Sequence, residues 1–318
     1  MRAPLIFQPV RAIAHPMNTI AAKPEWIAVD WGTSHLRAWA MQGDTAIAET
    51  DAGTGMGSLA PDEFETALLA LVEPWLSDKA TPVVACGMVG ARQGWCEAAY
   101  TKVPCPPVGP GKVQPQTTDP RLDVTILPGL SQDTPADVMR GEETQIAGYL
   151  ANDPKFDGIL CLPGTHTKWV HISAEEVVSF RTFMTGELFA LLSENSVLRH
   201  SVDDAWDTTA FTQAVHDGMG RPAAIASNLF SLRADDVMNG SAPGIARARL
   251  SGLLIGAELA AAKPYWLGQR VVLIGQDKLS SLYATALAPE GVEAEIADGT
   301  AITLAGLTSA YLSLKDAT

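Results

Sequence analysis

The feature that most constrains the fold is a unit that occurs twice. Its first copy is Trp26-Ile-Ala-Val-Asp30-Trp-Gly32-Thr33-Ser34-His-Leu-Arg37-Ala-Trp-Ala40. The apolar run from Trp26 to Val29 is too short for a helix and is closed by a turn signal, so it predicts a buried strand with Asp30 at its end. A carboxylate against an apolar strand is costly to bury without a cation, so Asp30 points to a metal ion or a solvated cleft. Gly32 permits a tight reversal, and Thr33 and Ser34 add hydroxyls and N–H donors of the kind that wrap phosphate groups. The chain leaves as an alternating strand, with Leu36, Ala38 and Ala40 on one face and His35, Arg37 and Trp39 on the other. The second copy is Ile159-Leu-Cys-Leu162-Pro-Gly164-Thr165-His166-Thr167-Lys168-Trp-Val-His-Ile. It repeats strand, Gly-Thr turn and strand without the Asp.

At 318 residues the chain exceeds the size of one core, and two domains are expected: 24–134 and 135–318, after a loose extension over 1–23. That extension contains Pro4, Pro9 and Pro16, lacks a signal-peptide core, and leaves Met17 as an alternative start. A net charge of −14 argues against nucleic acid or an anionic membrane as partner. No apolar run approaches the roughly 20 residues of a membrane helix. Cys86, Cys96, Cys105 and Cys161 form no Cys-x-x-Cys pair and read as reduced thiols of a cytoplasmic protein. The sequence leaves the oligomeric state, a homo-oligomer included, open.

Between the repeats, Gly53-Thr-Gly55-Met-Gly57-Ser58 has no phosphate-loop spacing and reads as a flexible loop. A helix is expected over 61–76, and Val83 to Met88 reads as a buried strand. The strand runs into Gly87-Met-Val-Gly90-Ala-Arg92-Gln93-Gly94-Trp95. A loop at a strand end is where open α/β folds place ligands, so Arg92, Gln93 and Trp95 are candidate substrate contacts. Residues 102–120, rich in Pro and Gly, read as a long surface loop. The domain boundary is expected near 133–135, with a helix starting at Asp137 and carrying Arg140, Glu142 and Glu143 in its first turns. His200 and His216 have no second ligand at metal-site spacing. Ile245 to Ala262 is an apolar helix whose Gly252 and Gly256 predict close packing, while Arg247, Arg249 and Glu258 exclude a membrane dimer. Arg270 to Gly275 predicts strand, glycine and helix start.

Asp30-Trp-Gly-Thr-Ser with its strands resembles the first phosphate motif of the sugar kinase, heat-shock ATPase and actin superfamily. That resemblance implies an α/β chain of two ribonuclease H-like (actin-like ATPase) domains flanking a nucleotide cleft. Asp30 would order hydrated Mg²⁺, and Gly32, Thr33, Ser34, Gly164, Thr165, His166 and Thr167 would contact ATP. Gly275, single where relatives carry a pair or triplet, would lie under the adenine. A carboxylate on the helix before the second turn is the base in related kinases, which makes Glu142 or Glu143 the candidate. Glu142, directly after Gly141, is favoured, and the choice stays open. The runs Gly87-Met-Val-Gly-Ala-Arg-Gln-Gly-Trp, Asp137-Val-Met-Arg-Gly-Glu-Glu-Thr-Gln, Leu162-Pro-Gly-Thr-His-Thr-Lys-Trp-Val and Met184-Thr-Gly-Glu-Leu resemble the 2-dehydro-3-deoxygalactonokinase family. The family activity is ATP-dependent phosphorylation of a sugar acid at its 6-hydroxyl, in galactose or galactonate breakdown. Arg92, Arg140, Lys168 and Arg181, cations in an acidic chain, suit such a substrate. The rival readings are a phosphohydrolase of the same fold and a non-catalytic sugar-acid sensor.

Overall fold

The structure, a computed structural model, describes residues 23–316. The reading of 1–23 as a loose extension, with Met17 as a start, lies outside the described residues but for Lys23. Along the chain run β1 (Trp26–Trp31), β2 (Leu36–Gln42), β3 (Thr45–Ala52), α1 (Phe64–Val72), β4 (Thr81–Cys86), β5 (Tyr100–Lys102), β6 (Leu122–Ile126), β7 (Gly129–Asp133), β8 (Ala136–Met139) and α2 (Glu142–Asn152). Then come β9 (Gly158–Leu162), β10 (Thr167–Ser173), β11 (Glu176–Phe183), α3 (Thr185–Asn195), α4 (Thr208–Gly220), α5 (Ile225–Asn239) and α6 (Ile245–Ala261). The chain ends with α7 (Lys263–Trp266), β12 (Val271–Gly275), α8 (Asp277–Leu287), β13 (Glu295–Asp298) and α9 (Gly299–Lys315).

Two compact units form. One holds the chain up to Tyr100, Pro110–Gly129 and the residues from Leu307 on; the other holds Thr101–Gly109 and Leu130–Gly306. Where the sequence reading cuts the chain once, between 134 and 135, these units interleave. The first unit is built on a five-stranded sheet of order β3-β2-β1-β4-β6, and the second on one of order β11-β10-β9-β12-β13. In both, an antiparallel hairpin sits beside parallel strands: β1 pairs antiparallel with β2 and parallel with β4, while β9 pairs antiparallel with β10 and parallel with β12. The duplicated motif is therefore a duplicated ribonuclease H-like sheet.

The continuous apolar reading of β9 follows from burial on both faces. Leu160 and Leu162 join the core formed with Ile146 and Tyr149 of α2, whereas Ile159 and Cys161 join the one formed with α4, α6 and α8. In the first unit Ile27, Val29 and Trp31 pack with Phe64, Leu68 and Val72 of α1. The expected glycine contact also forms. A Cβ on Gly252 would lie 2.5 Å from the Phe211 carbonyl and one on Gly256 2.3 Å from that of Val215, so α6 touches the α4 backbone.

Several boundaries move. The helix expected over 61–76 spans Phe64–Val72 and tightens into a 3-10 turn over Glu73–Trp75, because Pro74 has no N–H to continue the ladder. Residues 133–135 are no linker but part of the β7–β8 hairpin. The helix expected from Asp137 begins at Glu142: Asp137 instead accepts the Thr182 N–H and hydroxyl, both at 2.7 Å, so 136–139 is a strand beside β11, and Gly141 at φ +106° makes the break. Within the irregular 102–120 stretch, single bridges Cys105–Val177 and Val113–Ile126 anchor the chain. His200, His216 and Arg181 are exposed.

Candidate active site

In the first unit, Asp30 stands near the end of β1, opposite Arg37 of β2 and Cys86 of β4. The cation that meets its carboxylate is Arg37, ion-paired through Oδ2, while the Cys86 thiol lies 3.9 Å from Oδ1. Gly87, at φ +93°, makes this possible, since a Cβ there would lie 2.7 Å from the Trp31 carbonyl and 3.5 Å from Asp30 Oδ1. The Gly32–Ser34 turn is closed by the Gly32 N–H donating to the His35 carbonyl at 2.9 Å. It is also braced from outside. The Met56 N–H donates to the Gly32 carbonyl (3.0 Å), the Gly57 N–H to that of Thr33 (2.9 Å), and Trp31 Nε1 to that of Thr54 (3.1 Å). A Cβ on Gly55 would come within 2.3 Å of the Thr33 carbonyl oxygen. The 53–58 segment, read as a flexible loop, is thus a brace for the turn, a contact between segments twenty residues apart that no local pattern announces. Thr33 and Ser34 themselves remain exposed.

The 87–95 loop follows β4 as a compact turn, with Trp95 N–H donating to the Val89 carbonyl at 2.9 Å. Arg92 and Gln93 are exposed, Arg92 with Glu97 at 3.3 Å. Trp95 turns the other way, stacking on Phe64 and meeting Trp31 edge-on at centroid distances of 6.4 and 6.2 Å, so its ring serves packing.

In the second unit, α2 opens with two carboxylates in unlike settings. Glu143 is 1% exposed, and its oxygens accept the Gly141 N–H at 2.9 and 2.7 Å. Burial, with the adjacent Glu142 charge, pushes it up to about 8. Glu142 has a side chain 24% exposed; Oε2 accepts the Arg140 N–H at 3.0 Å, and Oε1 pairs at 3.0 Å with Nζ of Lys168, itself 5% exposed. Lys168 also donates to the His166 carbonyl at 3.2 Å, tying Glu142 to the second Gly-Thr turn. Arg140 is buried beside them.

That second turn is gripped by the start of α3. The Glu187 N–H donates to the Thr165 carbonyl (3.0 Å), His166 Nε2 meets Glu187 Oε2 (2.6 Å), and a Cβ on Gly186 would lie 2.3 Å from the Gly164 carbonyl. Gly275 ends β12 beside Pro163, 3.4 Å from its carbonyl to where a Cβ would be. Thr167 Oγ1 lies 3.0 Å from the Tyr283 hydroxyl. Six sequence candidates, Arg140, Glu142, Glu143, His166, Thr167 and Lys168, are therefore linked or adjacent, whereas Asp30, Gly32, Thr33 and Ser34 form the first unit's own group. Sequence reasoning missed the 53–58 brace, the grip of Gly186 and the role of Lys168 as partner to Glu142. Among the described residues no cluster of three or more His, Cys, Asp or Glu could cage a metal, and no helix is long and apolar enough to cross a membrane.

Comparison with known proteins gives the arrangement its context. The 2-keto-3-deoxy-galactonokinase family model matches residues 30–310. The Rhizobium meliloti (strain 1021) protein named probable 2-dehydro-3-deoxygalactonokinase DgoK1 is 40% identical over 294 residues, 90% of this chain and 96% of its own. The Escherichia coli (strain K12) 2-dehydro-3-deoxygalactonokinase is 35% identical over 288 residues, 89% of this chain and 96% of its own. A crystal structure from Sinorhizobium meliloti, under the provisional name 2-dehydro-3-deoxygalactonokinase, is 39% identical, superposes with a TM-score of 0.83, and covers 91% of this chain and 99% of that one. With the family pattern running through both units, the chain belongs to the 2-keto-3-deoxy-galactonokinase family.

Proposed function

We propose that the protein transfers the terminal phosphoryl group of ATP to the 6-hydroxyl of 2-dehydro-3-deoxy-D-galactonate, acting as a cytoplasmic enzyme of galactose or galactonate breakdown. The observation that carries the mechanism is the contrast at the start of α2: of two adjacent carboxylates, one is sealed against Gly141 and the other is partly exposed and oriented by a buried lysine. Glu142 is the base. It takes the hydroxyl proton as the sugar oxygen bonds to the terminal phosphorus and the bond to the ADP oxygen breaks, and its exposure lets the proton leave to solvent. Lys168 fixes the carboxylate's direction, and Arg140 with Arg92 supplies positive charge suited to an acid substrate. Gln93 is a further polar contact from the same exposed tip.

The two Gly-Thr turns, Gly32–Ser34 and Gly164–Thr167, are assigned to the phosphates, and Gly275 to the adenine side of the second turn. A Mg²⁺ ion that keeps most of its waters and shares the nucleotide phosphates takes a single protein carboxylate, and Asp30, ion-paired with Arg37 through Oδ2, has its Oδ1 on the other side, 3.9 Å from the Cys86 thiol. Asp30 would hold it, and the ion would neutralise phosphate charge. Glu143 keeps the turn before α2 in shape.

The test is γ-labelled ATP with a panel of 2-keto-3-deoxy sugar acids. Label on the sugar acid is the expected result. Label released only as inorganic phosphate would make the protein a hydrolase, and sugar-acid binding without ATP turnover would make it a sensor.

A further inference from the structure

Glu258 lies inside α6, where it is the one charged side chain among the buried residues of that helix, and is 3% exposed. Its Oε1 accepts the indole N–H of Trp169 at 2.8 Å. Its Oε2 accepts the hydroxyls of Tyr283, at 2.8 Å, and of Thr185. Thr167 completes the set by donating to the Tyr283 oxygen at 3.0 Å. The proton count closes: three donors reach the carboxylate and a fourth hydroxyl feeds one of them. A carboxylate sealed in an apolar core is expensive without such partners, and an apolar side chain would fill the same volume without that cost. Apart from Tyr283, which stands on α8, the donors share one property. Thr167 and Trp169 begin β10 immediately after the Gly164–His166 turn, and Thr185 begins α3, whose next two residues grip that turn from the other side.

We propose that Glu258 is a positioning residue for the phosphoryl donor, holding the start of β10 and the start of α3 in fixed register so that the Gly164–Thr165–His166 turn keeps the shape that receives phosphate. The inference rests on the assignment of that turn to ATP. Glu258 touches no reactant; it acts through Thr185, Trp169, and Thr167 by way of Tyr283. Burial already pushes its carboxyl up to about 7, against the pull of its three donors, so any lost donor moves the balance of the whole cluster.

Two variants separate the inference from its foundation. Thr165→Asp puts a negative charge at an exposed position of the turn, where it repels phosphate without disturbing the core. Glu258→Gln keeps the volume but sets an amide N–H₂ against groups that donate. Steady-state kinetics are read per folded molecule, with circular dichroism fixing the folded fraction. The expected result is a fall of about 10-fold or more in kcat/KM for MgATP in both variants, with the sugar-acid KM of Glu258→Gln within about 2-fold of wild type. Normal MgATP kinetics in Glu258→Gln beside a crippled Thr165→Asp would leave Glu258 a stabiliser of the core and overturn the proposal alone. An equal rise in both KM values would mean general loosening and overturn it too. Normal MgATP kinetics in Thr165→Asp would remove the turn assignment and the proposal with it. Should Glu258→Gln fail to fold, Thr185→Val and Tyr283→Phe each remove one donor; a loss of about 3-fold or more for MgATP in either sustains the proposal, and no change in both refutes it.

Discussion

Replacing Glu142 by Gln tests the mechanism at the point where the two neighbouring acids differ. Gln keeps the volume and one accepting oxygen but has no basic oxygen to take the sugar proton. A positioned general base contributes about 10²- to 10⁴-fold, equivalent to about 3 to 5 kcal/mol of barrier, and that loss should appear in kcat. A second cost comes from Lys168. Its side chain is 5% exposed, and without the carboxylate at 3.0 Å its ammonium keeps the His166 carbonyl, at 3.2 Å, as an acceptor. Fully buried pairs cost about 3–5 kcal/mol to break and exposed ones about 0–1; with Glu142 24% exposed, a loss of about 2 kcal/mol follows, or a Tm lower by about 4–8 °C. Turnover is therefore measured at least 15 °C below the variant's own Tm, by ADP release at saturating ATP, with ADP affinity followed by calorimetry. Affinity should hold while kcat collapses. Glu143→Gln is the control. Its carboxyl, raised to about 8, is largely protonated at pH 7, so the amide is a near copy and kcat should fall by less than about 10-fold. A dead Glu143→Gln beside an active Glu142→Gln would move the base one residue along, and full turnover in both would remove α2 from the chemistry.

Much of the scaffold was legible because its signals are local. The runs Trp26–Val29 and Ile159–Leu162 read as strands because each is buried, the second against two cores, and a turn glycine announces each hairpin. The site was half legible. Asp30 and the Gly-Thr turns sit inside these local patterns, but the ranking of Glu142 over Glu143 depends on where α2 begins, and the true start lies five residues after the expected one. That start is set by the positive φ of Gly141 and by Asp137 reaching Thr182 on β11, forty-five residues away. Lys168 was visible as a cation but not as a partner of Glu142, and Trp95 as an indole but not as one turned toward Phe64, because both facts are tertiary. Glu258 is the extreme case: in the sequence it serves only to exclude a membrane helix, and its place in the core depends on β10, α3 and α8 converging on it.

Asp30→Asn should fold normally yet lose at least ~10²-fold in turnover, the scale of one preorganised electrostatic contact; near-normal rates at saturating MgATP would remove Asp30 from the reaction. Gly55→Ala should raise KM for ATP and lower Tm by several degrees, because its methyl group would overlap the Thr33 carbonyl that the turn presents; unchanged values in both would mean that the brace is idle. The last expectation concerns pH. Glu258 and Glu143 are pushed by burial from an ordinary 4.5 up to about 7 and about 8. A raised carboxyl binds more protons in the folded than in the unfolded chain between those values, so its stabilisation is complete below about 4.5 and is lost as pH climbs through 7 and 8. Asp119 and Asp236 are held low by hydrogen bonds, Asp119 chiefly to Arg121 and Asp236 chiefly to Ser201, and their contribution is lost only in more acid solution. Urea unfolding should therefore show stability falling from pH 5.5 to 8.5, with Glu258 accounting for about 2 kcal/mol of the loss. The Glu258→Gln chain has no such carboxyl to ionise, so its slope over this range should be shallower. A wild-type stability that rises to pH 8.5, or an identical slope in the variant, would mean that Glu258 stays ionised in the core throughout.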